Sequence, residues 1–148
     1  MEKTIINSID ILVVEDNAGD ARLIKEVLNE SKIFNSLYFV KDGVEAMDYL
    51  YCKGKYNGSP KPDLIILDLN LPKKDGREVL AEIKADMGLK HIPVVIMTTS
   101  QAEEDIIKSY SLHANCFVTK PIDLNQFIKV IKSIENFWFS IVKLPSKG

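Results

Sequence analysis

Apolar residues in this chain fall into five short dense runs. Between the runs they recur every third or fourth position. The runs "IDILVV" (9–14), "LYFV" (37–40), "LIILD" (64–68), "VVIMT" (94–98) and "CFVTK" (116–120) are rich in β-branched and apolar residues, the make-up of strands. The first, third and fourth are almost wholly apolar, as parallel strands covered on both faces must be. The intervening pattern is helical. In "DARLIKEVLNES" (20–31) it places Ala21, Ile24, Val27 and Leu28 on one face. "GVEAMDYLY" (43–51), "GREVLAEIKADM" (76–87), "AEEDIIKSYSLH" (102–113) and "LNQFIKVIKSIENFWFSI" (124–141) follow the same rule.

Four helix starts are marked by a capping side chain three residues before Glu or Gln. They are "DGVE" (42–45), "DGRE" (75–78), "SQAE" (100–103) and "DLNQ" (123–126). That spacing satisfies the orphan N–H groups of a helix start from both sides. The resulting βαβαβαβαβα order predicts an α/β domain: a parallel sheet with right-handed crossovers and helices on both faces. One connection is irregular. "CKGKYNGSPKP" (52–62) is rich in Gly, Pro and Lys and is expected to be an exposed loop.

Length and composition narrow the function. The 148 residues make one domain the simplest expectation. A net charge of −2 gives no electrostatic reason to expect nucleic acid or an anionic membrane. No apolar run reaches the roughly 18 residues of a membrane span. Cys52 and Cys116 form no CxxC pair, and no signal-peptide pattern opens the chain, so a reducing cytoplasm is expected. The "NGS" at Asn57 is then an incidental match to a glycosylation acceptor. His91 and His113 stand in unrelated segments and are read as surface or packing residues.

Ligands of an open parallel sheet bind outside the carboxyl ends of its strands. Strand one ends in Glu15 and Asp16, strand three in Asp68, strand four in Thr98 and Thr99, and strand five in Lys120. Three carboxylates with one lysine are under-neutralised and repel one another. A hard divalent cation such as Mg²⁺ relieves this, and it favours carboxylates, waters and phosphate as ligands. A metal-neutralised Asp68 is then suited to attack a phosphoryl group, with Lys120 and a threonine hydroxyl as fixed donors to its oxygens. The backbone carbonyl of Asn70 is a further candidate metal ligand.

Taken together, "ILVVEDN", "LIILDLNLPKKDG", "IPVVIMTTS" and "CFVTKP" resemble the receiver domain of two-component response regulators, over about residues 8–135. The resemblance implies a flavodoxin-like, doubly wound sheet of strand order 2-1-3-4-5 with five helices. It implies that Asp68 is phosphorylated by a histidine kinase or a phosphotransfer protein. Mg²⁺ would be held by Glu15, Asp16, Asp68 and the Asn70 carbonyl. Thr98 would be the switch hydroxyl, Lys120 its ion-pair partner, and Phe117 the aromatic that turns inward. "EDNAGDARLIKEVL", the 52–62 loop, "TTS" and "ENFWF" look like the stand-alone regulators that pair with phytochrome-type kinases. Three positions depart from the common pattern. The acid pair is Glu-Asp, Thr99 is bulkier than usual and is expected to restrict access, and Phe117 lacks a tyrosine hydroxyl.

The stretch after Lys120 is too short for an effector domain, which needs about 50 residues. Output is therefore expected to be a surface contact and not catalysis, through the face of the fourth helix, fifth strand and fifth helix. The first half of the last helix is expected to pack on the sheet. An apolar extension at about 136–148 follows, in which Phe137, Trp138, Phe139 and Ile141 are candidates for a homodimer or partner contact. Rival readings are weaker. A haloacid-dehalogenase-type phosphatase wants a second acid where Asn70 stands. A flavodoxin-like electron carrier wants a phosphate loop after the first strand. The remaining alternative is a phosphorylation-independent interaction module with a vestigial acidic site.

Overall fold

The computed structural model describes residues 8–30, 35–99 and 116–142, with side chains of 117–133 in the last stretch. Five strands form one parallel sheet: β1 (Ile9–Val14), β2 (Asn35–Val40), β3 (Leu64–Asp68), β4 (Val94–Thr98) and β5 (Cys116–Thr119). Their order is β2-β1-β3-β4-β5, as the resemblance implies. Between them lie α1 (Ala18–Asn29), α2 (Gly43–Leu50) and α3 (Gly76–Ala85), and a C-terminal helix (Leu124–Val142) closes the fold. The predicted helix at 102–113, its "SQAE" cap and His113 fall outside the described residues. So four of the five expected helices are described.

The parallel register explains why the acids meet. Val40, Val14, Leu67, Ile96 and Phe117 are successive partners across the sheet. The next residues along β1 and β3 are Glu15 and Asp68. Two carboxylates far apart in sequence therefore leave neighbouring strands at the same level. Side chains alternate between faces, and two apolar clusters result. One gathers Val14, Leu67, Ile96, Leu80 and Ile83 under α2 and α3. The other gathers Ile24, Leu28, Val13, Ile66, Phe127 and Ile131 under α1 and the C-terminal helix. Phe127 and Ile131 are buried, so the first half of the last helix packs on the sheet as expected.

Helix starts follow their side chains. Asp75 and Glu78 form the reciprocal capping box that opens α3. At α2, Asp42 accepts from Glu45 N at 2.8 Å, but Glu45 reaches past the cap to Lys41 N at 3.0 Å. Asp123 Oδ1 accepts from Asn125 N and Gln126 N at 2.9 and 3.2 Å. Helix α1 starts two residues before the reading at 20–31, because Asn17 caps it by accepting from Asp20 N at 2.8 Å. The 52–62 segment is a largely exposed loop, as expected, but an ordered one. It contains a 3₁₀ turn at Gly54–Tyr56, and Tyr56 stacks edge-on to Tyr49 with centroids 5.2 Å apart. Tyr49 also donates to the Pro60 carbonyl at 3.0 Å. Apolar ring contacts, invisible to a count of Gly, Pro and Lys, tie the loop down.

Candidate functional site

Asp68 ends β3 with a carboxylate that is 1% exposed, and Glu15 beside it is 3% exposed. Burial at this level requires partners. Asp68 Oδ1 accepts from Asn70 N at 2.9 Å, and Oδ2 accepts from Lys120 Nζ at 2.9 Å. Lys120 follows β5, where its backbone N donates to the Thr98 carbonyl at 2.7 Å. That bond continues the β4–β5 ladder one step and aims the lysine back over the rim. The same Nζ lies 3.0 Å from Glu15 Oε2 and 3.1 Å from Asp20 Oδ2.

Glu15 is the strained member. Its Oε2 accepts from Lys120 and from Asn17 N at 3.0 Å. Its Oε1 lies 2.9 Å from Lys120 Nζ, yet makes no hydrogen bond. Burial pushes the Glu15 carboxyl up to about 7, and the Asp68 charge adds to the push; the Lys120 and Asn17 hydrogen bonds pull the other way. For Lys120, burial acts to lower the value, but hydrogen bonds to Asp68 and Glu15 outweigh it and hold the ammonium charged well above its ordinary range. The lysine is a permanent cation here.

Glu15, Asp16 and Asp68 each offer a carboxylate oxygen, all within 4.8 Å of one another. Hard oxygen donors and one buried oxygen without a hydrogen bond fit a divalent cation. Asp16 is exposed, as a ligand at the open side of such a site must be.

The remaining predicted residues are placed less tightly. Thr98 is fully buried at the end of β4, one residue past Met97, the register partner of Asp68. Asn70 and Thr99 are exposed and linked to each other, Asn70 Nδ2 donating to Thr99 Oγ1 at 3.3 Å. The Asn70 contact that reaches Asp68 is its backbone N–H, not the carbonyl expected as a metal ligand. Phe117 is half-buried against the cluster under α2 and α3, the sheet face that Thr98 shares by its parity with Ile96. The helix backbone runs through Phe137, Trp138, Phe139 and Ile141, but their side chains are outside the described residues.

Asp20 was missed. The sequence signal was present, since Asp20 stands four residues after Asp16 in the first turn of a capped helix. Only the fold shows that this turn faces Lys120. The close seat of α3 is also part of the site. A Cβ on Gly76 would meet the Asp68 carbonyl oxygen at 2.4 Å and Leu69 Cα at 2.5 Å, so only glycine lets α3 begin there.

Comparison with known proteins agrees with this geometry. Residues 11–132 match the response regulator receiver domain family. The response regulator Rcp1 of Synechocystis sp. is 54% identical over 136 residues, spanning 92% of each chain. Among solved structures, the phosphorylated cyanobacterial phytochrome response regulator RcpA is 53% identical, with a TM-score of 0.79 over 94% of this chain and 99% of the other. The Mn²⁺-bound form of Rcp1 is also 53% identical, with a TM-score of 0.77 over 93% and 99%. A five-stranded parallel sheet of this order, an acid cluster at its exit rim and a lysine bridging that cluster thus coincide with a match across most of the sequence: the chain belongs to the response regulator receiver family of two-component phosphorelay signalling.

Proposed function

We propose that Asp68 is the phosphoacceptor of this receiver, and that a histidine kinase or phosphotransfer protein supplies the phosphoryl group. The observation that carries the reading is the buried Asp68 carboxylate held 2.9 Å from Lys120 Nζ, inside the Glu15–Asp16–Asp68 oxygen cluster. In the transfer, an Asp68 oxygen forms a bond to phosphorus as the P–N bond of a phosphohistidine breaks. The electron pair leaves on the imidazole nitrogen. The carboxylate enters ionised, so Asp68 has no proton to lose.

Each neighbour has a task. The Asn70 N–H and Lys120 Nζ fix the rotamer of Asp68, which orients the nucleophile. Lys120 supplies a preorganised positive charge for the phosphoryl oxygens, and the buried Thr98 hydroxyl is assigned as the switch donor. Glu15, Asp16, Asp68 and the Asn70 carbonyl would hold Mg²⁺, whose charge offsets the acids and polarises the phosphoryl group when bound. Thr99, tied to Asn70, narrows the approach to Asp68.

Phosphorylation then biases a packing equilibrium that involves Phe117, exposing or hiding a protein-binding face. A phytochrome-type kinase is the favoured donor, supported by the likeness to RcpA and Rcp1. We assign residues 1–148 to one receiver domain with an apolar tail at 136–148. Its Phe137, Trp138, Phe139 and Ile141 are assigned to a homodimer or partner contact. Among the described residues no helix is long and apolar enough to cross a membrane, in keeping with a cytoplasmic regulator.

Intact mass spectrometry after incubation with Mg²⁺ and acetyl phosphate or phosphoramidate tests the central assignment. One added phosphoryl group is expected on the wild type and none on Asp68→Asn. If the wild type gains no group and forms no beryllofluoride complex, the interaction module with a vestigial site replaces this reading. Steady turnover of small phosphomonoesters would instead favour a phosphatase.

A further inference from the structure

An ammonium has three N–H donors, and Lys120 faces three carboxylates. Its Nζ lies 2.9 Å from Asp68 Oδ2, 3.0 Å from Glu15 Oε2 and 3.1 Å from Asp20 Oδ2. The first two contacts are hydrogen bonds and the third is an ion pair, so three acids share one ammonium. The three acids are not equivalent. Asp68 and Glu15 are almost fully buried, whereas the Asp20 side chain is 28% exposed. Asp20 is also not one of the three acids whose oxygens cluster within 4.8 Å. Its contact is with the lysine. It is held there by a formed helix turn, because Asn17 Oδ1 caps its backbone N–H at 2.8 Å.

We propose that Asp20 is a competitor for the Lys120 ammonium that limits how tightly the site holds a phosphoryl group. The inference rests on Asp68 being the phosphoacceptor. A phosphoryl group adds acceptor oxygens and roughly −1.5 to −2 charges at the rim, and one of those oxygens must draw an N–H from Lys120. That oxygen competes with the acids already paired with the ammonium. Glu15 is buried and belongs with Asp68 to the oxygen cluster assigned to the metal, and Asp68 carries the phosphoryl group itself. Asp20, the most exposed of the three acids, can turn to water at the smallest cost. The ammonium thus turns from Asp20 to the phosphoryl group, and α1 loses its ion pair to the site. A chain without the Asp20 carboxylate has no such ion pair to give up beforehand.

The test is a titration of the full chain with beryllofluoride at saturating Mg²⁺ for the wild type, Asp20→Asn and Asp20→Ala, followed by NMR. The expected result is binding roughly two- to fivefold tighter in Asp20→Ala, from the removal of one ion-pair competitor. A smaller gain is expected in Asp20→Asn, whose amide oxygen still accepts. The gain should persist at about 0.5 M salt, where the through-space field of an exposed charge is largely screened. Equal or weaker binding in Asp20→Ala overturns the proposal, and weaker binding would make Asp20 a support of Lys120 instead. A gain that vanishes with salt also overturns it, by reducing Asp20 to general rim charge. If the wild type itself forms no complex, the phosphoacceptor reading falls and this inference with it. A wild-type complex with no gain in the variants removes this inference alone.

Discussion

The two ends of the sheet treat acids in opposite ways. At the entrance end, Asp63 Oδ2 accepts from Asp10 N at 2.8 Å, and Asp10 Oδ1 accepts from Tyr38 Oη at 3.3 Å. Both acids are half-buried, and they are satisfied by neutral donors already present in the chain. At the exit end, Asp68 and Glu15 are deeper, they share one lysine, and a buried Glu15 oxygen makes no hydrogen bond. The difference separates acids that the fold itself satisfies from acids that it leaves short of partners. The entrance acids close the fold; the exit acids are left under-neutralised, which suits the cation and phosphoryl group proposed for them.

The exit arrangement depends most on its cation. Lys120→Met leaves two buried carboxylates facing each other, and such a loss costs about 3–5 kcal/mol. Urea denaturation in EDTA should show this loss, and millimolar Mg²⁺ should recover much of it by occupying the same oxygens. A loss that Mg²⁺ does not relieve would mean the acids do not form a metal site. At the other end, Asp63→Asn keeps an acceptor for Asp10 N. It should cost about 1 kcal/mol or less in the same assay, with no dependence on Mg²⁺. A large or metal-dependent effect there would erase the contrast between the two ends.

The smallest effect sharpens the comparison within the exit side itself. Glu45 sits near that rim but is satisfied by Tyr56 Oη and Lys41 N, with Lys55 Nζ 3.3 Å away. The Tyr56 hydrogen bond, then that of Lys41 N, holds its carboxyl below the ordinary 4.5, while burial drives Glu15 up to about 7. A carboxyl lowered by folding stabilises the native state above its ordinary value and loses that contribution as pH falls through the lowered one. Wild type should therefore exceed Glu45→Gln in stability at neutral pH, and the gap should close below pH 4.5. Thermal melts across that range read it directly. A gap that widens in acid would reverse the assigned sign.

Much of this was legible in the chain. Strands 9–14, 64–68 and 94–98 coincide with β1, β3 and β4, because central parallel strands are apolar on both faces and stand out as unbroken runs. Strand β2 starts two residues before its apolar run, at Asn35. An edge strand with one partner need not be apolar throughout, so its start is weakly marked. The helix starts at Asp42, Asp75 and Asp123 were readable because capping is local chemistry. The pairing of Asp20 with Lys120 was not readable, since the two stand 100 positions apart and meet only across the sheet. The anchoring of the 52–62 loop was missed for a similar reason. Tyr38, Tyr49 and Tyr56 belong to three segments, and they stack only once α2 has packed.

By itself, the sequence determined which residues form strands, where helices begin and which acids, hydroxyls and lysine stand at strand ends. Each of these depends on neighbours within a few positions, through backbone preference, side-chain period and local hydrogen bonds. The tertiary structure decided how the charges are shared. Parallel register sets Glu15 beside Asp68, the β4–β5 ladder returns Lys120 over both, and the packing of α1 adds Asp20 as a third claimant. Electrostatic energies depend on distance and burial in space rather than on separation along the chain. So the sequence names the groups, but only the folded sheet determines which of them compete for the same ammonium.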